Sequence, residues 1–203
     1  MLISVKDVTH IYNQGQSGAQ TALKNINLDI DSNEFIGLIG PTGSGKSTLV
    51  QLFNALIFPS QGMVKIKETI ISERKVDLKT IRQKIGLVFQ YPEHQLFEET
   101  VADEVAFGPK NLNLEESEIK KRVKEALQLV GLDYSQYQQR SPFNLSGGQQ
   151  RRVALAGVLA MRPEVLILDE PFAGLDPRGR RQIINLLKQL HQSQEITIIL
   201  ISH

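Results

Sequence analysis

The chain has 203 residues, with 23 lysine and arginine residues against 22 aspartate and glutamate residues, and it has no cysteine. This length predicts one domain, with room for a subdomain, and a core of useful size. The near-neutral charge gives no electrostatic reason to expect nucleic-acid binding. The absence of cysteine excludes a disulfide framework and a thiolate metal site, and it is compatible with a reducing cytosol.

The sequence contains no pattern typical of secretion or membrane insertion. Its first residues have no basic segment followed by an apolar one, so we expect no signal peptide. The longest uncharged apolar runs, at 153–161 and 196–201, are far shorter than the ~20 residues that a membrane-spanning helix needs. We therefore expect that this chain does not cross a membrane.

The first third of the chain predicts several short strands. Residues 2–5 form one apolar strand, and in 26–30 apolar and polar residues alternate with the period of a half-exposed strand. The stretch 13–20 between them has the composition of a loop. With a predicted hairpin formed by 62–66 and 69–71, these segments indicate a small antiparallel sheet.

A glycine-rich stretch at 40–48 lies between a predicted strand and a predicted helix. The apolar run 35–39 before it predicts a fully buried strand. Apolar residues after it have the spacing of one helix face: Leu49, Leu52, Phe53 and Leu56. In this context the pattern G-x-x-x-x-G-K-[ST] predicts a polyphosphate site, and the alternative is a chance glycine-rich turn.

The residue types of this loop suit a nucleoside triphosphate. Glycine lets backbone N–H groups approach a phosphate closely, and the next helix directs its unpaired N–H groups and positive dipole end at the anion. The Lys46 ammonium can reach the β- and γ-phosphates, and the Ser47 hydroxyl can ligate Mg²⁺. The candidate nucleotide-binding residues of the loop are Gly40, Pro41, Thr42, Gly43, Ser44, Gly45, Lys46, Ser47 and Thr48.

Strands and helices alternate in the rest of the chain. Further apolar strands are predicted at 85–89, 165–168 and 196–201, with a helix between the last two. Residues 91–163 predict a helical insertion, in which Gly131 ends one helix and another helix runs over 148–161. The alternation predicts an α/β fold with a mostly parallel, doubly wound sheet.

Two adjacent carboxylates, Asp169 and Glu170, directly follow the predicted strand 165–168. Ligands of parallel α/β sheets collect at the carboxyl ends of the strands, where the glycine loop also lies. Asp169 suits Mg²⁺ coordination, and Glu170 suits orientation or deprotonation of an attacking water. An acidic pair at a strand end is more often a solvated turn, but the phosphate loop in the same chain favours the catalytic interpretation.

A second helix start with anion-binding character occurs at 145–149. Ser146, followed by Gly147 and Gly148, has the residue types of a capped helix N-terminus that exposes backbone N–H groups. Taken alone, the pattern is typical of an ordinary capped helix. However, one triphosphate does not need two such helix starts from one subunit, which raises the question of what the second one binds.

Together these stretches resemble the ATP-binding-cassette (ABC) ATPases over the whole chain. The matching segments, in the order and spacing of that family, are Walker A at 40–48, the Q-loop residue Gln90, the signature at 145–149, Walker B at 165–170, the D-loop at 173–176 and the switch histidine His203. The resemblance implies a P-loop NTPase core with a small antiparallel part at 1–90 and 164–203, and a helical subdomain at 91–163.

The resemblance also implies roles for side chains that the local sequence does not predict. Tyr12 would stack on adenine, Gln90 would contact Mg²⁺ and the attacking water, and His203 would contact the γ-phosphate. Two subunits would form a head-to-tail dimer, in which the signature of one completes the ATP site of the other. The implied catalytic set is Glu170, His203, Lys46 and Gln90, the implied Mg²⁺ ligands are Ser47, Gln90 and Asp169, and the signature residues on ATP are Ser146, Gly147, Gly148 and Gln149.

A narrower resemblance lies in residues 89–111, from FQYPEHQLFEETV to EVAFGPKN. This segment is similar to the cytoplasmic ATPases of energy-coupling factor importers, which take up vitamins or transition-metal ions. The resemblance implies a second ATPase subunit, a paralogue rather than an identical copy, and a transmembrane coupling protein that contacts residues 91–101. It further implies a membrane substrate-binding protein, a peripheral location at the cytoplasmic face of the cell membrane, and no nucleic-acid partner.

Two features depart from the family pattern. Phe172 stands where many ABC ATPases have threonine or serine, and the chain ends at His203 where members of the family continue. We therefore expect the sequence to be part of a longer polypeptide, without the C-terminal extension of the family.

Two other functions fit parts of the pattern. One is the ATPase of a different ABC importer. The other is a soluble ABC ATPase that acts on nucleic acid or ribosomes; it would favour two cassettes, a long coiled-coil insertion or a basic face, and the sequence has none of these.

Overall fold

The computed structural model describes residues 1–71 and 77–202. The strands of this part are β1 (Ile3–Tyr12), β2 (Gln20–Ile30), β3 (Phe35–Ile39), β4 (Gln61–Ile66), β5 (Thr69–Ile70), β6 (Ile85–Val88), β7 (Val165–Asp169) and β8 (Thr197–Ser202). The helices are α1 (Lys46–Phe53), α2 (Leu78–Lys84), α3 (Val101–Lys110), α4 (Glu116–Leu129), α5 (Tyr134–Tyr137), α6 (Gly147–Leu159) and α7 (Pro177–Gln194), with 3₁₀ turns at Pro92–Gln95 and Pro142–Asn144.

The first sheet is antiparallel and has the strand order β2-β1-β4-β5. In it β1 pairs with β2 on one side and with β4 on the other, so that Ile3 lies opposite both Ile30 and Ile66. The predicted antiparallel sheet is therefore confirmed. The first strand is longer than the predicted 2–5, because its pairing with β2 continues to Tyr12.

The second sheet is parallel and has the strand order β3-β8-β7-β6. Its register aligns the strand ends: Ile39 of β3 lies beside Ser202 of β8, and Asp169 of β7 lies beside Ile201. All four strands therefore end at the same edge of the sheet, and the segments that follow them leave from that edge.

The prediction that 35–39 is a fully buried strand is wrong. Phe35 is 44% exposed and Ile39 is 74% exposed. The reason is that only one face of β3 packs against a core: Ile36 and Leu38 contact the core beneath the antiparallel sheet, whereas Phe35 and Ile39 point to the opposite face and belong to neither core of the described residues. The central strand β7, by contrast, is buried from Val165 to Leu168.

The parallel sheet separates two hydrophobic cores. Successive side chains of a strand point to opposite faces, so β7 contributes Leu166 and Leu168 to one core and Val165 and Ile167 to the other. The first core contains apolar residues of α3, α4, α6 and α7, and the second contains those of α1, α2 and the antiparallel sheet. A packed core lies on each face of the sheet, with helices in both, which confirms the α/β class.

Between β6 and β7 the chain is helical. Helix α6 contacts α3, α4 and the 3₁₀ turn Pro92–Gln95, and together they cover one face of the parallel sheet. Helix α4 ends just before Gly131, as predicted, and this glycine has a φ of +71°. That residues 91–163 form a subdomain distinct from the core stays a prediction.

Two details of the predicted helices differ. Helix α1 ends at Phe53, so Leu56 does not continue its buried face and is exposed. The helix predicted at 148–161 runs from Gly147 to Leu159. Within residues 1–71 and 77–202, no helix has both the length and the apolar character required to cross a membrane.

The contrast between the edge strand and the central strand predicts unequal effects of the same substitution. We expect Ile167→Ala to lower the free energy of unfolding by about 2–5 kcal/mol, because it opens a cavity in a fully buried site. We expect Ile39→Ala in the same chain to change it by less than about 0.5 kcal/mol, since its side chain is largely in solvent. Urea denaturation followed by circular dichroism measures both, and equal losses would contradict the exposure of Ile39.

Candidate nucleotide-binding and catalytic site

The glycine loop connects the end of β3 to the start of α1. Gly43 and Gly45 have φ values of +80° and +89°, which favour glycine. A Cβ atom on Gly45 would lie 2.6 Å from the backbone oxygen of Ala22 and 2.8 Å from Cδ2 of Leu23, both in β2. Glycine at 45 therefore lets the loop lie directly against the antiparallel sheet.

Lys46, the first residue of α1, is buried against this loop. Its ammonium Nζ donates hydrogen bonds to the backbone oxygens of Gly40, at 2.6 Å, and Pro41, at 2.9 Å. The cation is thus held inside the curl of the loop, at the positive end of a helix whose N-cap, Gly45, has no side chain to cap it. A fixed positive charge and a helix N-terminus at one point form an anion site.

Ser47 and Asp169 meet beside the loop, although they are 122 positions apart in the sequence. The Ser47 hydroxyl donates a hydrogen bond of 3.1 Å to Oδ2 of Asp169, which ends β7. A hydroxyl and a carboxylate are the oxygen ligands that Mg²⁺ prefers, and Mg²⁺ needs only one or two protein ligands when substrate phosphates supply others. The described residues contain no cluster of three or more acidic, histidine or cysteine side chains that would bind a metal unaided.

The next carboxylate, Glu170, contacts the Q-loop residue. The amide Nε2 of Gln90 donates a hydrogen bond of 2.9 Å to Oε2 of Glu170. Gln90 lies just beyond β6 and Glu170 just beyond β7, so the parallel pairing of these strands brings the two together. Glu170 has a φ of +48°, a backbone conformation that is uncommon for a residue other than glycine.

The phosphate loop and the two carboxylates surround one small cavity. Its volume is about 180 Å³. The lining residues are Thr42, Gly43, Ser44, Gly45, Lys46, Ser47, Asp169, Glu170 and Ile201. The structure therefore brings together the predicted phosphate loop, the predicted Mg²⁺ ligands Ser47 and Asp169, and the predicted catalytic carboxylate.

Tyr12 lies at the end of β1, close to α1, and is exposed. Its hydroxyl is 3.2 Å from Oγ1 of Thr48, within hydrogen-bonding distance, and its ring meets that of His10 edge to face, with centroids 4.6 Å apart. His10 in turn is fixed by a hydrogen bond between its Nδ1 and the backbone oxygen of Phe58, at 2.9 Å. The predicted adenine contact is thus attached to the helix that follows the phosphate loop.

The signature residues lie in a different place. Ser146, Gly147 and Gly148 are exposed at the start of α6, where Gln149 Oε1 accepts a hydrogen bond of 3.0 Å from the Ser146 backbone N–H. Ser146 and Gly148 line a larger cavity of about 740 Å³ together with Asp176 of the D-loop. Neither residue lines the cavity at the phosphate loop. Within one chain the two predicted anion-binding helix starts therefore do not meet.

Two residues remain, the predicted His203 and the unpredicted Arg151. His203, predicted to contact the γ-phosphate, lies outside the described residues. The sequence did not single out Arg151, which is buried and bonded to Glu93. The available signal was spacing: Arg151 lies four residues before Leu155 and eight before Leu159, on the face of α6 that these apolar residues form.

Comparison with known proteins identifies the family. Residues 23–173 match the family model described as ABC transporter. The chain is 57% identical to EcfA2, the energy-coupling factor transporter ATP-binding protein of Clostridioides difficile, over all 203 residues and 70% of that protein. It is 56% identical to EcfA2 of Caldanaerobacter subterraneus, over 71% of that protein.

The chain belongs to the ABC transporter ATP-binding family, among the energy-coupling factor ATP-binding proteins. Solved structures agree. CbiO1 of Clostridium perfringens, part of the ABC transporter complex CbiONQ, is 42% identical with a TM-score of 0.87, over the whole chain and 78% of that structure. The ATP-binding cassette MJ0796, solved as a dimer bound to ADP and phosphate, is 34% identical with a TM-score of 0.85, over 100% of this chain and 88% of that one.

Family membership confirms the fold class and the enzyme class predicted from the sequence. The chain is an ATP-binding subunit of a transporter, and its ATP hydrolysis is coupled to transport. Family membership alone does not assign roles to individual side chains or establish the use of Mg²⁺. Proposals on both rest on the distances between Ser47 and Asp169 and between Gln90 and Glu170.

The contact between Gly45 and β2 predicts a large effect of one added methyl group. We expect Gly45→Ala to lower both the stability of the chain and its affinity for ATP, because Ala22 and Leu23 have to move away. Gly18→Ala is the matched control: Gly18 has a φ of +97° with no atom within 4 Å of a Cβ, so only the conformational cost of about 1–2 kcal/mol remains. Urea denaturation and titration with a fluorescent ATP analogue measure the two effects. Equal losses in the two variants would contradict the steric role of Gly45.

Proposed function

We propose that this chain is the ATP-hydrolysing motor subunit of an importer for a vitamin or a transition-metal ion. The observation that carries the proposal is the convergence of the phosphate loop, the Ser47–Asp169 pair and the Gln90–Glu170 pair at one edge of the parallel sheet. This arrangement suits phosphoryl transfer, in which positioning and charge stabilisation supply most of the catalysis.

In the proposed site the phosphate loop binds the ATP polyphosphate. The backbone N–H groups at the start of α1 and the Lys46 ammonium face the β- and γ-phosphates, and Lys46 exchanges its bonds to Gly40 and Pro41 for bonds to phosphate oxygens. Tyr12 provides the base contact at the other end of the nucleotide. His203 keeps its predicted contact with the γ-phosphate as part of the proposal.

Ser47 and Asp169 are the proposed Mg²⁺ ligands, supported by their oxygen donors and their separation of 3.1 Å. When bound, Mg²⁺ supplies positive charge that neutralises the β- and γ-phosphates. Gln90, which donates a hydrogen bond to Glu170, keeps both of its predicted contacts in the proposal, one with Mg²⁺ and one with the attacking water. Glu170 orients that water and accepts its proton.

The signature would act on a second ATP molecule. Because Ser146 and Gly148 do not line the phosphate-loop cavity of their own chain, the exposed N-terminus of α6 suits the γ-phosphate held by another subunit. We propose a head-to-tail arrangement with a second ATPase, and a paralogue rather than an identical copy.

An apolar groove supports the proposed contact between residues 91–101 and a transmembrane coupling protein. The groove has a volume of about 340 Å³, and its lining includes Leu56, Phe97 and Phe107, all of which are exposed. The rings of Phe97 and Phe107 meet edge to face at 4.9 Å. The backbone N–H groups of Phe97 and Glu98 donate to Oε2 of Glu104, at 2.9 and 2.8 Å, so the segment is held against α3. Exposed aromatic side chains beside a groove are typical of protein interfaces.

The assembly can be tested by isolating the tagged full-length protein from detergent-solubilised membranes and identifying what accompanies it by mass spectrometry. We expect a second ATPase, a small coupling protein with several membrane spans, and a membrane substrate-binding protein. Recovery only with ribosomes or nucleic acid would contradict the transport function and the proposed place at the cytoplasmic membrane face.

The proposed role of Glu170 predicts a separation of binding from hydrolysis. We expect Glu170→Gln to lower kcat for ATP hydrolysis by about 10²–10⁴-fold, because the amide orients water but accepts no proton. ATP affinity should change little, since the loop and Lys46 are intact. The matched control is Glu164→Gln, which removes a carboxylate bonded to Lys67 away from the site. A phosphate-release assay on the assembled transporter measures both, and wild-type turnover in Glu170→Gln would exclude the proposed role.

The proposed coupling surface predicts a selective loss of association. Phe97 is 57% exposed, and we expect Phe97→Ser to weaken binding to the coupling protein about tenfold or more, as removal of a buried aromatic anchor does. The comparison variant is Ile70→Ser, an exposed apolar residue of β5 that does not line the groove. Quantitative co-purification of the two variants with the coupling protein is the measurement. Equal recovery of both would show that residues 91–101 do not form this interface.

A further inference from the structure

Arg151 is a charged side chain inside the protein, at a point where three functional segments meet. It lies in α6, five positions after Ser146, and its side chain is 9% exposed. Its guanidinium Nε and Nη2 donate to the two carboxylate oxygens of Glu93, at 3.1 and 2.8 Å. Its Nη1 donates to the backbone oxygens of Ala173, at 2.9 Å, and Pro171, at 3.4 Å.

The three partners of Arg151 lie in two segments that have different parts in the proposed mechanism. Glu93 lies in the 3₁₀ turn Pro92–Gln95, which follows Gln90 and belongs to the proposed coupling surface. Pro171 and Ala173 lie in the turn after Glu170, and Ala173 is the first residue of the D-loop. One side chain therefore links the signature helix, the coupling surface and the segment that carries the proposed catalytic carboxylate.

The turn after Glu170 needs such support. Glu170 itself has a φ of +48°, and non-glycine residues persist in that conformation only where the surroundings fix it. Inside the turn, the N–H of Ala173 donates to the oxygen of Glu170 at 3.0 Å, and the N–H of Leu175 to that of Phe172 at 3.2 Å. The oxygens of Pro171 and Ala173 point instead at Arg151, which fixes the turn from outside.

Arginine is the residue type that this geometry needs. Its planar fork binds a carboxylate with two parallel bonds and still has a third nitrogen for the carbonyl oxygens, whereas lysine has a single ammonium. Burial alone would raise the pKa of Glu93, but the hydrogen bonds and positive charge of Arg151, with a backbone hydrogen bond, hold that pKa below its usual value. Glu93 is therefore ionised at neutral pH, and the pair carries two full charges.

Stability alone does not account for a pair of this kind. Buried ion pairs contribute little net stability, because desolvation offsets the attraction, and well-packed apolar residues often replace them without loss. An apolar pair, however, would not donate the hydrogen bonds that Pro171 and Ala173 accept from Arg151.

We propose that Arg151 is a positioning residue for ATP hydrolysis: it fixes the turn 171–173, and through it Glu170, relative to the signature helix and to Glu93 beneath the coupling surface. The inference rests on the proposed catalytic role of Glu170. It adds a residue that touches no nucleotide in its own chain but determines where the carboxylate lies.

The test uses the full-length protein in its assembled transporter. Arg151→Met removes the fork at similar length, Arg151→Lys keeps the charge, and Glu93→Gln keeps the carbonyl contacts of Arg151. The matched control is Arg162→Met, which removes an exposed arginine paired with Glu118 and Glu125 in the same helical region. Two quantities are measured: kcat and KM for ATP, and hydrogen exchange of the backbone amides of Ala173 and Leu175.

We expect Arg151→Met to lower kcat by about 10–100-fold, the effect of a small misplacement of a catalytic group. KM should stay within about twofold, because ground-state binding by the phosphate loop is unchanged. Exchange at Ala173 and Leu175 should be faster. Arg151→Lys should recover part of the rate, Glu93→Gln should have a smaller effect than Arg151→Met, and Arg162→Met should match the wild type in both measurements.

Wild-type exchange at Ala173 and Leu175 in Arg151→Met would overturn the proposal, as would a lower melting temperature with unchanged kcat per folded molecule. Should Arg151→Met not fold, Arg151→Lys is measured against the same two criteria. A wild-type transporter that hydrolyses no ATP would overturn the proposed function instead, and the exchange rates would still decide whether Arg151 fixes the turn.

Discussion

Parallel pairing of β3, β8, β7 and β6 brings four strand ends to one edge of a single sheet. Three of these strand ends lead into functional segments: the phosphate loop after β3, Gln90 after β6, and Asp169 with Glu170 at the end of β7. Because the register aligns these ends, side chains that are 80 to 122 positions apart in sequence come within about 3 Å of each other. No local sequence feature could produce this convergence without the sheet.

The two cores on either side of the sheet make that register rigid. A shift of β7 by one residue would exchange Leu166 and Ile167 between the helical core and the core beneath the antiparallel sheet. Both side chains are fully buried, so each core would have to repack. The position of Asp169 is thus fixed by residues that have no part in the chemistry.

The sequence predicted those parts of the site that follow from a strand and the residues directly after it. The phosphate loop, the Ser47–Asp169 pair and the place of Glu170 all belong to this class, because apolar runs mark the strands and parallel strands end together. The exposure of Ile39 was not predictable in this way, since an apolar run does not reveal whether a core covers both faces of its strand. Likewise, adjacent arginines on a helix do not reveal that it is Arg151 that meets Glu93.

The close approach of Gly45 to β2 bears on which length of nucleotide fits the site. The loop lies against the backbone of Ala22, and β2 pairs with β1, which carries Tyr12 at its end. The phosphate loop is therefore packed against the same hydrogen-bonded sheet that carries the proposed adenine contact. In the proposed site this sheet sets the distance between the two contacts, which favours nucleotides whose base and terminal phosphates are separated by that length.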